Sequence, residues 1–297
     1  MRPKLDLKSA VSNIAEHVPT EMTFAELVEA YSATVYDGAD LRMKKWVDAF
    51  GDLSAWEVST DHITAVAEAM IEGGYRPSTA NRDTSQIGTV YRWAITKKLP
   101  PKNFISPTRA MARFEEGIRH VEIAPEEITK LLAGAHSNPD RRFAVYVRLL
   151  HETGARKGEI VERIWKDIDL DKRQITVMTT KTGKPRTLFF SEQTADLMRR
   201  IWPNRNETSL LFEGRIRGAA INYRAAWKDL ITSIGRPDLH QHDLRHHRAA
   251  ELLRSGVTLA VASQCLGHSS LILHRRYGHL ETQHLQGAVA QSWGMAA

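Results

Sequence analysis

The chain of 297 residues has a single cysteine, Cys265. No intramolecular disulfide can form, and a reducing cytosol is the simplest compartment. Long apolar runs are missing too. The N-terminal stretch MRPKLDLKSAVSNIAEHVPTE carries charge throughout, so neither a signal peptide nor a membrane span is expected there. No internal repeat and no low-complexity tract interrupts the chain. What is present, 42% hydrophobic and 26% charged residues, fits an ordinary globular protein, and the length suits two domains. Charge is not balanced. Forty-one Lys and Arg against 35 Asp and Glu leave a net +6, which favours an anionic partner such as nucleic acid.

Residues 1–21 have no decisive pattern and read as an N-terminal arm. Thr23 then opens T-F-A-E-L-V-E-A-Y with Glu26 three residues on, a capping box followed by apolar residues at helical spacing. Further helices are predicted over 40–50, 60–72 (starting at Thr60 or Asp61) and 77–96, the third stopped by Gly73-Gly74. Residues 22–97 therefore read as a small four-helix domain. The stretch 98–122 holds three prolines near its start and little helical period, so it reads as a linker. Lys97, Lys98, Lys102, Arg109 and Arg113 make it basic, which suits either a solvated connector or a segment that wraps DNA.

Pro125 opens a second domain at the first turn of a helix. An apolar helix over 141–152 and another from Lys157 to Trp165 follow. I-T-V-M-T-T (175–180) and T-L-F-F (187–190) flank K-T-G-K-P-R, a β-hairpin with Lys181 at its mouth beside Lys184 and Arg186. That string lacks the glycine spacing of a phosphate-binding P-loop. Helices are expected again to the end. One begins at Asp243 as N-cap, one runs from Thr258 to Gly267, and a last short one is capped by Ser269 or Ser270.

The segment from His240 to His279 concentrates reactive side chains: His242-x-x-Arg245, Gly267-His268 and Tyr277. A metal-free phosphoryl-transfer site needs fixed cations, proton-transfer groups and a nucleophile, and these residue types supply all three. Arg156, in T-G-A-R-K-G-E-I, adds a second arginine, and Glu159 three residues on can orient it. Taken singly, Arg156 reads as a surface ion-pair partner, Lys181 as a turn charge and Tyr277 as a core aromatic. Seven histidines crowd 240–279, but no cysteine or paired-carboxylate spacing supports them as ligands, so no metal and no cofactor is expected. Cys265 sits among Leu259, Val261, Ala262 and Leu266 and reads as core filling.

In order, T-G-A-R-K-G-E-I, K-T-G-K-P-R, H-D-L-R-H, L-G-H-S-S and R-Y-G-H-L resemble the tyrosine recombinase (phage integrase) family over about 123–280. The resemblance implies a mainly α fold. An N-terminal four-helix, SAM-like core-binding domain precedes a mostly helical catalytic domain with a small antiparallel β-sheet. It further implies cutting and rejoining of double-stranded DNA at specific sites through a 3′-phosphotyrosine on Tyr277. Arg156 and Arg245 would hold the phosphate oxygens, and His268 would add a hydrogen bond. Lys181 would be the acid for the leaving 5′-oxygen, His242 the base or orienter near Tyr277, and Glu159 a supporting carboxylate. Lys97, Lys98, Lys102, Arg109, Lys184 and Arg186 are the expected DNA contacts. The family also implies a tetramer on paired sites, a role for an accessory DNA-bending or directionality factor, and a cytoplasmic location.

The sequence departs from the family's pattern at His247 and Arg248, where Thr-Phe is common, and at His274, where Thr is common. The tail 281–297 carries Ala288, Val289 and Trp293 and suits either a neighbouring subunit or its own domain. With only about twenty residues before the helical domain, an additional arm-type DNA-binding domain is not evident, an expectation that favours a simple recombinase. Integration or excision of a mobile element, Xer-like resolution of chromosome or plasmid dimers, a type IB topoisomerase, an inactive DNA-binding relative and a histidine-based zinc hydrolase all stay open on sequence alone.

Overall fold

A computed structural model describes residues 20–35, 39–117, 121–178, 185–267 and the single positions 274 and 277. Contacts divide the chain into two compact units, Met1–Arg119 and His120–Ala297. The fold is mostly helical with one small antiparallel sheet, as the sequence indicates. No described helix is long and apolar enough to cross a membrane.

In the first unit four helices are described: α1 (Phe24–Thr34), α2 (Ala39–Phe50), α3 (Thr60–Glu72) and α4 (Pro77–Thr96). The box at the start of α1 is closed in both directions. Thr23 Oγ1 accepts the Glu26 N–H at 3.2 Å, and the Glu26 carboxylate accepts the Thr23 N–H at 2.7 Å. Helix α3 starts at Thr60, as expected, with Ser59 as its cap and His62 as the reciprocal partner. The helices close over Phe24, Leu27, Trp46, Ile63, Ile87 and Tyr91. Tyr91 is wholly buried, and its hydroxyl donates to Ala55 O at 2.8 Å, as a buried phenol requires. Asp83, also buried, is paired with Lys45.

The proline-bearing stretch after α4 is fastened to this unit. Leu99, Phe104, Met111 and Phe114 pack against the helical core. Asn81 grips Phe114 from both sides, its amide donating to Phe114 O at 2.9 Å and its oxygen accepting the Phe114 N–H at 3.0 Å. Loss of helical period signalled irregular backbone here; it carried no information about attachment.

The second unit is built on α6 (Arg142–Thr153), which packs against α5 (Pro125–His136), α8 (Glu192–Ile201) and α10 (Gln241–Arg254). Phe143 through Val147, Leu149 and Leu150 are all buried, so α6 is covered on most of its circumference. Helix α7 (Lys157–Val161) is far shorter than the stretch to Trp165 suggested. The chain leaves it to pair with a later segment, where the Leu211 N–H reaches Arg163 O at 2.7 Å and the Trp165 N–H reaches Ser209 O at 3.1 Å. A 3-10 turn then leads into β1 (Ile168–Asp169), β2 (Gln174–Val177) and β3 (Arg186–Phe189), antiparallel in the order β1-β2-β3 with Ile175 opposite Leu188. Ile175, Val177 and Leu188 face the core while Phe189 faces out, the alternation a half-buried sheet demands. Helices α9 (Arg224–Ser233) and α11 (Leu259–Leu266) complete the described set.

Candidate active site

Three helix ends converge. Gly154 stops α6 in the left-handed conformation, φ +60, and swings the chain into Arg156 and α7. Gly267 ends α11 the same way, φ +62. Helix α10 begins one turn before Arg245, with His240, not Asp243 as expected, at the N-cap position. Asp243 stands at the third position, where its carboxylate accepts the His240 N–H at 2.6 Å.

The last carbonyls of α11 have no partner within the helix and carry the negative end of its dipole. Three consecutive ones take one guanidinium each. Arg186 Nη1 donates to Cys265 O at 2.6 Å, Arg245 Nη2 to Leu266 O at 2.5 Å and Arg156 Nη2 to Gly267 O at 3.2 Å. Arg245 Nη1 also donates to Gly154 O at 2.7 Å, tying the end of α6 to α10. Glu159, buried, bridges the other two arginines. Its Oε1 lies 3.0 Å from Arg156 Nη1, and its Oε2 lies 2.5 Å from Arg186 Nη2 and 2.7 Å from the Arg156 N–H.

Three guanidinium groups thus stand beside one carboxylate, which two of them bind, and the excess is positive. Burial alone would push Glu159 up, but the Arg156 N–H and the Arg186 and Arg156 charges hold it below the ordinary carboxylate range. Burial pushes Arg245 down to about 9, with the Arg156 and Arg186 charges adding to the effect; it stays charged at neutrality. Burial lowers Arg186 as well. An anion of phosphate type is the ligand this balance accommodates.

Tyr277 packs half-buried against Ala249, Leu253, Ala262 and Leu266. Its hydroxyl lies 2.8 Å from His246 Nδ1. His246 carries no role in the sequence reading, which set His242 beside the tyrosine. His242 stands one turn earlier on the same face of α10, its ring perpendicular to that of His246 with centroids 4.9 Å apart. The i, i+4 spacing was the signal that could have found His246.

Arg186 corrects another expectation. Its side chain is 6% exposed and bonded to Glu159 and Cys265 O, so it is a buried member of the cluster and not the surface charge expected of a hairpin arginine. Lys97, Lys98, Lys102 and Arg109 are exposed on the first unit. Lys181, Lys184, His268, Ser269, Ser270 and the tail 281–297 lie outside the described residues.

A model described as the phage integrase family matches residues 122–284, more than half of the chain. The chain belongs to that family, the tyrosine recombinases. It is 30% identical over 157 residues to tyrosine recombinase XerA of Saccharolobus solfataricus, covering 52% of this chain and 50% of that protein. The chain thus spans about half the length of that relative. It is 25% identical over 293 residues to tyrosine recombinase XerC of Xanthomonas campestris pv. campestris, covering 93% of this chain and 86% of the other. Among solved structures, the Tn1549 transposon integrase in complex with a circular intermediate DNA aligns with a TM-score of 0.71 at 17% identity, over 91% of this chain and 100% of that one, a likeness of fold.

Proposed function

We propose that this protein is a site-specific DNA recombinase whose nucleophile is Tyr277. The observation that carries the reading is the placement of Arg156 and Arg245 on adjacent carbonyls at the end of α11, with the Tyr277 hydroxyl held by the helix that bears Arg245. Paired arginines match the non-bridging oxygens of a phosphodiester and gain strength as charge builds on them in the transition state. The Tyr277 oxygen bonds to phosphorus, and the bond to the 5′-oxygen breaks. The phenolic proton passes to His246 Nδ1, whose ring His242 orients, and the leaving oxygen takes a proton from Lys181. The product is a 3′-phosphotyrosine and a free 5′-hydroxyl; attack by a second 5′-hydroxyl reverses the step. His268 adds a hydrogen bond to the phosphate.

Arg245 is fully buried in the free chain, so DNA has to uncover it before the phosphate can be held. Duplex DNA as partner, assembly of copies on paired sites, help from an accessory factor and a cytoplasmic location belong to the same reading. So does movement of a mobile element as its use.

The test is covalent trapping on DNA from around the protein's own gene. Wild-type protein gives a 3′-linked adduct and Tyr277→Phe gives none while still retarding the DNA. An undiminished adduct in the variant removes Tyr277 from the chemistry.

A further inference from the structure

Away from the arginine cluster, α6 and α10 bring a second set of side chains together. His151 lies near the end of α6, and His247 and Glu251 lie four apart on one face of α10. One nitrogen from each ring and one carboxylate oxygen all lie within 4.8 Å of one another. The two rings stack with centroids 5.7 Å apart and planes 30° from parallel. His247 Nε2 is 3.4 Å from Glu251 Oε1. That is long for a charge-assisted hydrogen bond. It matches the roughly 3.3 Å between two ligand atoms that share a tetrahedral zinc ion at ordinary bond lengths.

His151 Nδ1 is buried and finds no hydrogen-bond partner among the described residues. A buried ring nitrogen left unpaired costs free energy, and coordination would remove that cost. The site has an entrance. His151 and Glu251 line a cleft of about 310 Å³ with Arg248, Phe189 and Phe190, so an ion can enter and retain a water as a further ligand. Glu152 also lines the cleft, but its carboxylate is already engaged by Ser191 and Thr194. The other oxygen of Glu251 faces Arg248 Nη1 at 3.4 Å, which supplies an outer partner for a ligating carboxylate.

We propose that His151, His247 and Glu251 bind one divalent transition metal ion of the zinc class and that the ion clamps α6 to α10. Two imidazoles and one carboxylate suit zinc, cobalt or copper; calcium and magnesium demand oxygen ligands throughout. The ion takes no part in phosphoryl transfer. Its place is in the scaffold, because α6 ends at the Gly154 carbonyl that holds Arg245 and α10 carries Arg245 itself. The inference stands on its own residues, independent of the reading of Tyr277.

The full-length chain is stripped with chelator and titrated with zinc chloride by calorimetry, with thermal unfolding followed in parallel. The expected result is one ion per chain and a zinc-dependent rise in the unfolding midpoint. His247→Ala and Glu251→Gln each weaken binding at least tenfold and abolish the rise. His274→Ala, at an exposed histidine elsewhere, changes neither. Cobalt loaded on the wild-type chain gives a readout that needs no variant: intense visible absorption of a four- or five-coordinate ion is expected. No zinc-dependent rise in the wild type, equal binding in all variants, or a weak octahedral cobalt spectrum would each overturn the site.

Discussion

Glu159 is one carboxylate among three arginines, and its removal tests the electrostatics of the whole cluster. Glu159→Gln keeps the shape but leaves Arg156 and Arg186 without their counter-charge in a buried setting. Breaking such a pair typically costs about 3–5 kcal/mol. Urea unfolding at neutral pH should show a loss of that order. The pH dependence has a fixed sign. The folded-state proton affinity of Glu159 is depressed below its ordinary value of 4.5, so its contribution is present above that pH and fades as pH falls through and below it. The gap between wild type and variant should therefore narrow on acidification. A gap that is constant from neutrality into the acid range would mean the carboxylate charge does no stabilising there. Arg156→Lys tests the same cluster through geometry: a single ammonium nitrogen cannot occupy both positions from which Nη1 reaches Glu159 and Nη2 reaches Gly267 O, so single-turnover cleavage should slow despite the kept charge.

Among the elements, the turns at Gly154 and Gly267 do more than end helices. Each delivers a carbonyl to an arginine; a side chain at Gly267 would crowd Arg186 Cδ at 3.0 Å, and one at Gly154 would collide. A Cβ on Gly154 would lie 2.6 Å from Leu266 Cδ2 and 3.2 Å from Arg248 Cβ. The left-handed backbone adds roughly 1–2 kcal/mol for any residue with a side chain. Gly154→Ala is expected to destabilise the chain by about 1–3 kcal/mol in denaturant titration. It should also slow cleavage beyond that loss, because it displaces the carbonyl bonded to Arg245. A change below half a kcal/mol would show that Leu266 gives way freely. The stop at Gly267 was legible in the sequence, as were the caps at Thr23 and Thr258, because each depends on residues within one helical turn. The end of α7 was not, since pairing with residues 209–211 decides it. The burial of Arg186 was invisible for the same reason: Glu159 and Cys265 are distant in sequence. The reactive set itself could be read because it falls into short motifs, while the hydrogen bond between His246 and Tyr277 spans 31 positions and needed the fold.

At the scale of the molecule, the net charge of +6 is too small to explain strong DNA binding by itself, so the distribution of charge has to matter. In the second unit much of the positive charge at the site is inward, on Arg186 and Arg245. The first unit is different. Lys97, Lys98, Lys102 and Arg109 are exposed, and the segment carrying the last two is packed onto the helical core, which holds their backbone in place. Charges fixed on a rigid surface can track phosphates without first losing chain entropy. If they do, binding to non-specific duplex weakens with salt, with a slope of about −0.9 in log K against log salt for each phosphate neutralised. Replacing Lys97, Lys98 and Lys102 together by Gln should then flatten that slope by up to roughly 2.7 when all three meet phosphates. The substitutions lie in surface positions, so thermal stability should stay within about 0.5 kcal/mol of the parent. Adduct formation on saturating target DNA should persist, because none of the three belongs to the arginine cluster. An unchanged salt slope would place the DNA-binding surface elsewhere in the chain. A slope that flattens together with a loss of stability would instead show that these lysines support the fold of the helical unit.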